Sequence, residues 1–275
     1  MNLIPEEIEQ HYLQTQESAR LRLSGARGEL ELLRTRAILA KHLPPQPATV
    51  FDVGGAAGVY AFPLAKQGYR VHLIDPIDVH LDQAKSFAAE SGIKLASITK
   101  GDARHLDISP SVADAVLLLG PLYHLVEHAD RLRALSEARR ILKVQGVLFA
   151  AAISRFASLI DGLASGFFRD AVFRKIIAED LASGRHRNPT NNPAYFTTAY
   201  FQRPEELAAE VREAGFDEVR ILAVEGAAWS GASFPEAWND PAQRESLMTF
   251  LSLIEQEPSV HGASAHLMAV ARRTH

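Results

Sequence analysis

The chain of 275 residues contains no cysteine, which excludes disulfides and thiolate metal sites. No apolar run approaches the ~18 residues that span a membrane. The N-terminal Met1-Asn2-Leu3-Ile4-Pro5-Glu6-Glu7 is acidic and has no signal-peptide core. Basic charge is not in excess either. Lys and Arg number 29 against 33 Asp and Glu, and the net charge of -4 offers no electrostatic footprint for nucleic acid or an anionic membrane. Internal repeats and low-complexity tracts are missing. What remains is an ordinary globular composition, 47% hydrophobic and 23% charged, at a length suited to one large domain or a domain with a sizeable cap. These exclusions predict a cytoplasmic enzyme with a small-molecule substrate, no nucleic-acid partner and no membrane partner; the oligomeric state is left open.

The most informative stretch is Thr49-Val50-Phe51-Asp52-Val53-Gly54-Gly55-Ala56-Ala57-Gly58, followed by Arg70-Val71-His72-Leu73-Ile74-Asp75-Pro76. A β-prone run ends in an acid and a glycine-rich turn, an amphipathic segment follows, and a second apolar run ends in another acid. This spells strand, tight loop, helix and parallel strand, with a nucleoside-sized pocket at the strand ends. Glycines let backbone N–H groups approach a ligand closely, and a helix N-terminus behind them favours a carboxylate or phosphate. Asp75 stands about twenty residues past the first glycine, where an acid takes both hydroxyls of a ribose. An adenosine-containing cofactor is therefore expected. A dinucleotide fingerprint would need glycines at 54, 56 and 59; the chain has Gly54, Ala56 and Val59. A P-loop would need Gly-Lys-Ser/Thr, which is absent.

Along the chain, residues 1–44 read as an N-terminal helical segment, helical over 6–42 and closed by Pro44-Pro45. Strands are predicted at 49–53, 70–75, 95–99, 114–119 and 147–153, with helices after Gly58, over 78–90 ending at Ser91-Gly92, and over 130–142. Asp114-Ala115-Val116-Leu117-Leu118-Leu119 is almost continuously apolar, as a strand covered on both faces should be. The regular βα alternation makes 45–153 an α/β core with a doubly wound, mostly parallel sheet. The aromatic-rich segment 154–203 breaks that regularity and is expected to form a cap that closes over the substrate side. Residues 204–275 return to the core, with a helix from Pro204 to Gly215, strands at 218–224 and 265–271, and a helical insertion at about 226–264 whose helix over 241–256 is capped by Asp240.

The spacing Asp52-x-Gly54-x-Ala56-x-Gly58 resembles the first motif of class I S-adenosylmethionine (SAM) dependent methyltransferases, with Ala56 in place of the middle glycine. Alanine at that position would be disfavoured at positive φ. The order of elements over roughly 45–153 looks like that fold, a Rossmann-like seven-stranded sheet, and weaker agreement extends through 204–225 and 265–272. The resemblance implies SAM as cofactor. It implies that Gly54, Gly55, Ala56 and Gly58 contact the methionine part, that Asp75 beside Pro76 holds the ribose, and that Asp102 beside Ala103 accepts from the adenine amino group. Asp52 is the motif acid, which either contacts the ligand or orients the loop backbone. The segment Leu119-Gly120-Pro121-Leu122-Tyr123-His124-Leu125 matches the place where the family lines the reaction centre, with Gly120 on the cofactor side.

The function this implies is methyl transfer from SAM to an oxygen, nitrogen or carbon of a small metabolite, with S-adenosylhomocysteine (SAH) as product. His124 is the best-placed general base and Tyr123 an orienting group, although a histidine packed at the sheet edge is an equally ordinary reading. His186, Tyr195 and Tyr200 are the candidate substrate-binding residues of the cap. Two alternatives stand beside this: a non-catalytic SAM-binding module, or a nicotinamide-dependent reductase with a degenerate glycine loop. His124-Leu125-Val126-Glu127-His128 matches the inverted zinc-protease pattern but directly follows a strand end beside a nucleoside site, so no metal site is expected. Gly120-Pro121-Leu122-Tyr123 is similar to the Asn/Asp-Pro-Pro-Tyr motif of amine-directed methyltransferases, but Gly120 has no side-chain acceptor. Asn192-Pro193-Ala194-Tyr195 is closer in letters and lies far beyond the fourth strand.

Overall fold

The computed structural model describes residues 4–14, 25–190 and 192–275. Among the described residues, two helices, α1 (Glu6–Gln14) and α2 (Ala26–His42), precede the sheet. The single helical stretch predicted over 6–42 is thus two helices in its described parts, and α2 begins after Gly25, which holds φ at 72°. The rest of that predicted stretch, 15–24, lies outside the described residues.

Next come β1 (Thr49–Val53), α3 (Ala61–Lys66), β2 (Arg70–Asp75), α4 (Asp78–Ser91), β3 (Ser97–Lys100) and β4 (Ala113–Leu118). A short α5 (Pro121–His124) leads to α6 (His128–Ile141) and β5 (Leu142–Ile153). β5 starts earlier than the predicted 147 because Leu142 already pairs with Ala113, ahead of a register shift between Ala113 and Ala115. Beyond β5 lie α7 (Ala157–Ala164), α8 (Ala171–Ser183), the short pair β6 (Arg185–His186) and β7 (Ala199–Tyr200), and α9 (Pro204–Glu213). The chain closes with β8 (Asp217–Ala223), α10 (Phe234–Asn239), α11 (Pro241–Ile254), α12 (Pro258–His261) and β9 (His266–Arg272). The Asp240 side chain caps α11 by accepting from the Ala242 and Gln243 N–H groups, and Gly92 ends α4 in the left-handed conformation.

The seven-stranded sheet has the order β3-β2-β1-β4-β5-β9-β8, parallel except for β9, which runs antiparallel to both neighbours. Both of its faces are covered, which explains the unbroken apolar run of β4. Ala115 and Leu117 face one core cluster with Val50, Leu73 and Phe149, while Val116 and Leu118 face the other with Phe51, Ile74 and Leu148. β1 pairs with β2 on one side and β4 on the other. The chain reverses its winding there, so a crevice opens beyond the carboxyl ends of β1 and β4. Among the described residues no helix is long and apolar enough to cross a membrane.

Candidate active site

The floor of the crevice is the β1–α3 loop. Gly54 adopts φ 70°, and a Cβ there would lie 2.5 Å from the Pro121 side chain, so α5 approaches the loop as closely as only glycine permits. At Gly55 a Cβ would meet the Asp52 carboxylate at 2.6 Å. Ala56 holds φ 48°, the strained region anticipated for the motif's one departure from glycine. What keeps it there is a hydrogen bond: its N–H donates to Asp75 Oδ2 at 2.8 Å. The loop and the end of β2 are thereby tied together.

Asp52 is fully buried in β1, and neither of its carboxylate oxygens has a hydrogen-bond partner. Burial, reinforced by the nearby Asp75 carboxylate, pushes its pKa up to about 7; the Ala61 N–H pulls weakly the other way. Asp75 is also buried, and its Oδ1 accepts from the Ile77 N–H at 2.9 Å and faces His80 Nδ1 at 3.0 Å. Asp102 lines the opposite wall, but Arg104 already grips its carboxylate from Nε and Nη2 and extends Nη1 to Asp130 at 3.1 Å. Any ligand amine reaching Asp102 competes with that pair.

α5 supplies the other half of the site. Its first residue is Pro121, whose missing N–H costs nothing at a helix start, and Tyr123 and His124 follow on the crevice wall. The Tyr12 hydroxyl lies 2.6 Å from His124 Nε2, and His124 Nδ1 lies 3.4 Å from the Thr198 carbonyl. With Nδ1 carrying the proton toward that carbonyl, Nε2 is the accepting nitrogen. Tyr12 belongs to α1, which lines the crevice with Ile8 and Tyr12, joined by Ile4 and Pro5 just before the helix. α1 is fastened from outside by Thr197, whose hydroxyl donates to the Glu7 carbonyl at 3.3 Å, and by the edge of His11 against Phe196.

Nine of the ten residues that the sequence places at the cofactor line this one cavity: Asp52, Gly54, Gly55, Ala56, Asp75, Pro76, Asp102, Ala103 and Gly120. Gly58 does not. It turns the loop at φ 84° and donates its N–H to the Gly55 carbonyl. The three cap residues expected to bind substrate, His186, Tyr195 and Tyr200, do not line it either. His186 is buried between Asp180 and the Tyr195 carbonyl, and Asp180 also accepts from Ser158. Tyr195 donates its hydroxyl to Asp170 at 2.7 Å, and Tyr200 lies under the Arg131 guanidinium at 3.9 Å. The polar atoms that suggested a binding surface in sequence are spent on holding the cap together. Among the described residues, the lining of this cavity includes Ile8 and Tyr12 of α1 and none of 154–203. The inverted zinc-protease pattern disperses in the same way: His124 meets Tyr12, Glu127 meets Arg185, and His128 meets Glu213. Sequence reasoning missed Tyr12 and His80, which reach the site from a helix remote in sequence and from the first turn of α4.

Residues 50–146 match the model of a methyltransferase domain family. The ubiquinone biosynthesis O-methyltransferase of Xylella fastidiosa (strain 9a5c) is 28% identical over 177 residues, which cover 64% of this chain and 64% of that protein. The chain thus spans just under two thirds of that relative's length. Among solved structures, a SAM-dependent methyltransferase from Methanosarcina mazei superposes with a TM-score of 0.56 at 17% identity, covering 86% of this chain and 96% of that one. A SAM-dependent methyltransferase from Thermotoga maritima, described as a possible histamine N-methyltransferase, gives a TM-score of 0.56 at 18% identity over 97% of this chain and 98% of that one. At such identities the likeness is one of fold. The domain match falls on the glycine loop, the two strand-end acids and β4, where the geometry builds a nucleoside crevice, so residues 50–146 are similar to a methyltransferase domain and the chain has the fold of S-adenosylmethionine-dependent methyltransferases.

Proposed function

We propose that the protein transfers a methyl group from SAM to an oxygen of a small, partly apolar acceptor and releases SAH. The residues of the crevice suit this cofactor. The buried Asp52 carboxylate has no hydrogen-bond partner, which fits a ligand carrying positive charge, and Gly54, Gly55 and Ala56 line the cavity beside it. Asp75 and Asp102 would hold the ribose and the adenine. When bound, SAM supplies a methyl group already activated on a sulfonium, so the protein's remaining work is positioning and proton removal in a covered site.

The observation that carries the choice of oxygen is the 2.6 Å contact between Tyr12 and His124 Nε2 on the wall beside Gly120. Tyr12 occupies the accepting position of a neutral imidazole. A hydroxyl of the acceptor entering that position gives its proton to Nε2, while Tyr123 lines the same wall. The name of the Xylella relative, an O-methyltransferase, agrees with this direction. SAH formation measured over a panel of phenols, catechols and amines tests it. The expected result is turnover with phenolic acceptors, lowered about 10²–10⁴-fold by His124→Ala with SAH affinity nearly unchanged. Turnover of amines alone, or loss of SAH binding in the folded variant, would overturn it.

A further inference from the structure

Asp75 is less available than an acid that must take both hydroxyls of a ribose. Its Oδ1 already faces two donors, the Ile77 N–H and His80 Nδ1, and its Oδ2 accepts from the Ala56 N–H. A carboxylate has about four lone-pair positions, so roughly one remains. His80 stands beside it. It is five residues further along, in the first turn of α4, where a side chain leans back toward the helix N-terminus and so reaches the end of β2. The imidazole is 4% exposed, belongs to the cavity wall, and its Nε2 has no hydrogen-bond partner. The bond to the carboxylate puts the proton on Nδ1 and leaves Nε2 as an acceptor. The ring is also held in place by the edge of Tyr12, with centroids 5.4 Å apart.

A buried acceptor without a partner is costly, and an apolar side chain would pack this position without that cost. We propose that His80 Nε2 is a second acceptor for the cofactor ribose, so that the diol is divided between Asp75 Oδ2 and His80 Nε2. The inference rests on the reading that the crevice holds SAM. It makes His80 a binding residue with a specific hydroxyl as its ligand.

The experiment is calorimetric binding of SAH, 2′-deoxy-SAH and 3′-deoxy-SAH to the wild-type protein and to His80→Asn and His80→Gln. Asn retains a donor toward Asp75 and loses the Nε2 position, whereas Gln reaches that position. His80→Asn should weaken SAH roughly tenfold, the loss expected of one hydrogen bond. His80→Gln should recover part of it. The deoxy analogue that lacks the hydroxyl held by His80 should bind wild type and His80→Asn equally. In the unmutated protein, the ¹⁵N resonance of His80 Nε2 should shift on SAH addition as the nitrogen gains a hydrogen bond. The inference is overturned if His80→Asn binds SAH as tightly as wild type, or weakens SAH and both analogues by one common factor, or if the Nε2 resonance stays still in the SAH complex. A wild-type protein that does not bind SAH at all overturns the cofactor reading itself, a different result from any of these.

Discussion

At the scale of single residues, Asp52 shows how a site stores unfavourable energy. Its carboxyl is buried without a partner near Asp75, and its pKa is pushed up to about 7 from an ordinary 3.8. The native state therefore binds this proton more tightly than the unfolded chain does. Between the two values the folded protein holds one proton that the unfolded chain has lost, so stability falls as pH rises through that window. A difference of about 3 pK units corresponds to roughly 4 kcal/mol as an order of magnitude. Asp52→Asn cannot ionise and should flatten this dependence. Urea unfolding at a series of pH values from about 4 to 8 checks it: the wild type should lose stability relative to Asp52→Asn as pH rises. Parallel curves would mean that another group carries the proton.

At the scale of elements, α1 and the segment 154–203 differ in where they spend their apolar side chains. The aromatic residues of 154–203 read as a substrate-facing cap, yet Phe173, Ile176, Ile177 and Tyr195 form a small core of their own and the Asp180–His186 pair is buried within it. Aromatic side chains carry large apolar area, and their first use here is to bury one another. The short α1, acidic in its first turn, instead spreads Ile8 and Tyr12 over the crevice. Hydrogen exchange should follow this division. On adding SAH, amides in 6–14 should gain protection while those of α8 change little, and the reverse pattern would return the role of cover to 154–203. Tyr12→Phe removes the hydroxyl that meets His124 without removing the ring, and so separates covering from proton handling.

At the scale of the whole molecule, α2 and the late helical insertion hold each other against the sheet. Arg34 of α2 is buried and donates to the Val224 carbonyl at 2.9 Å and to Glu255 at 2.6 Å, while Lys41 reaches the other Glu255 oxygen at 2.7 Å. Burial pushes the Glu255 carboxyl up, but Lys41 and Arg34 more than offset it and hold it below the usual range. Trp238 of α10 donates its indole N–H to Glu29, closing a second tie between the same parts. Glu255→Gln leaves the Arg34 guanidinium buried without a carboxylate and should cost about 3–5 kcal/mol in urea unfolding. Replacing both partners, Arg34→Met with Glu255→Leu, should recover a large part of that loss; failure to recover it would mean that the pair also carries packing no apolar residue reproduces.

The glycine loop, the acids Asp52, Asp75 and Asp102, and the apolar run of β4 were legible in the sequence because each is a local requirement. A tight turn needs glycine next to the strand it leaves, a doubly covered strand needs apolar residues at every position, and strand ends in a parallel sheet all point to one crevice. Tyr12 and His124 are 112 residues apart, and nothing in the composition around either one identifies the other. The fate of His186, Tyr195 and Tyr200 was hidden for the same reason: a polar aromatic segment has the same letters whether its donors meet a ligand or each other. Those pairings are decided by which surfaces remain to be covered once the sheet has formed, and only the packed tertiary structure settles that competition.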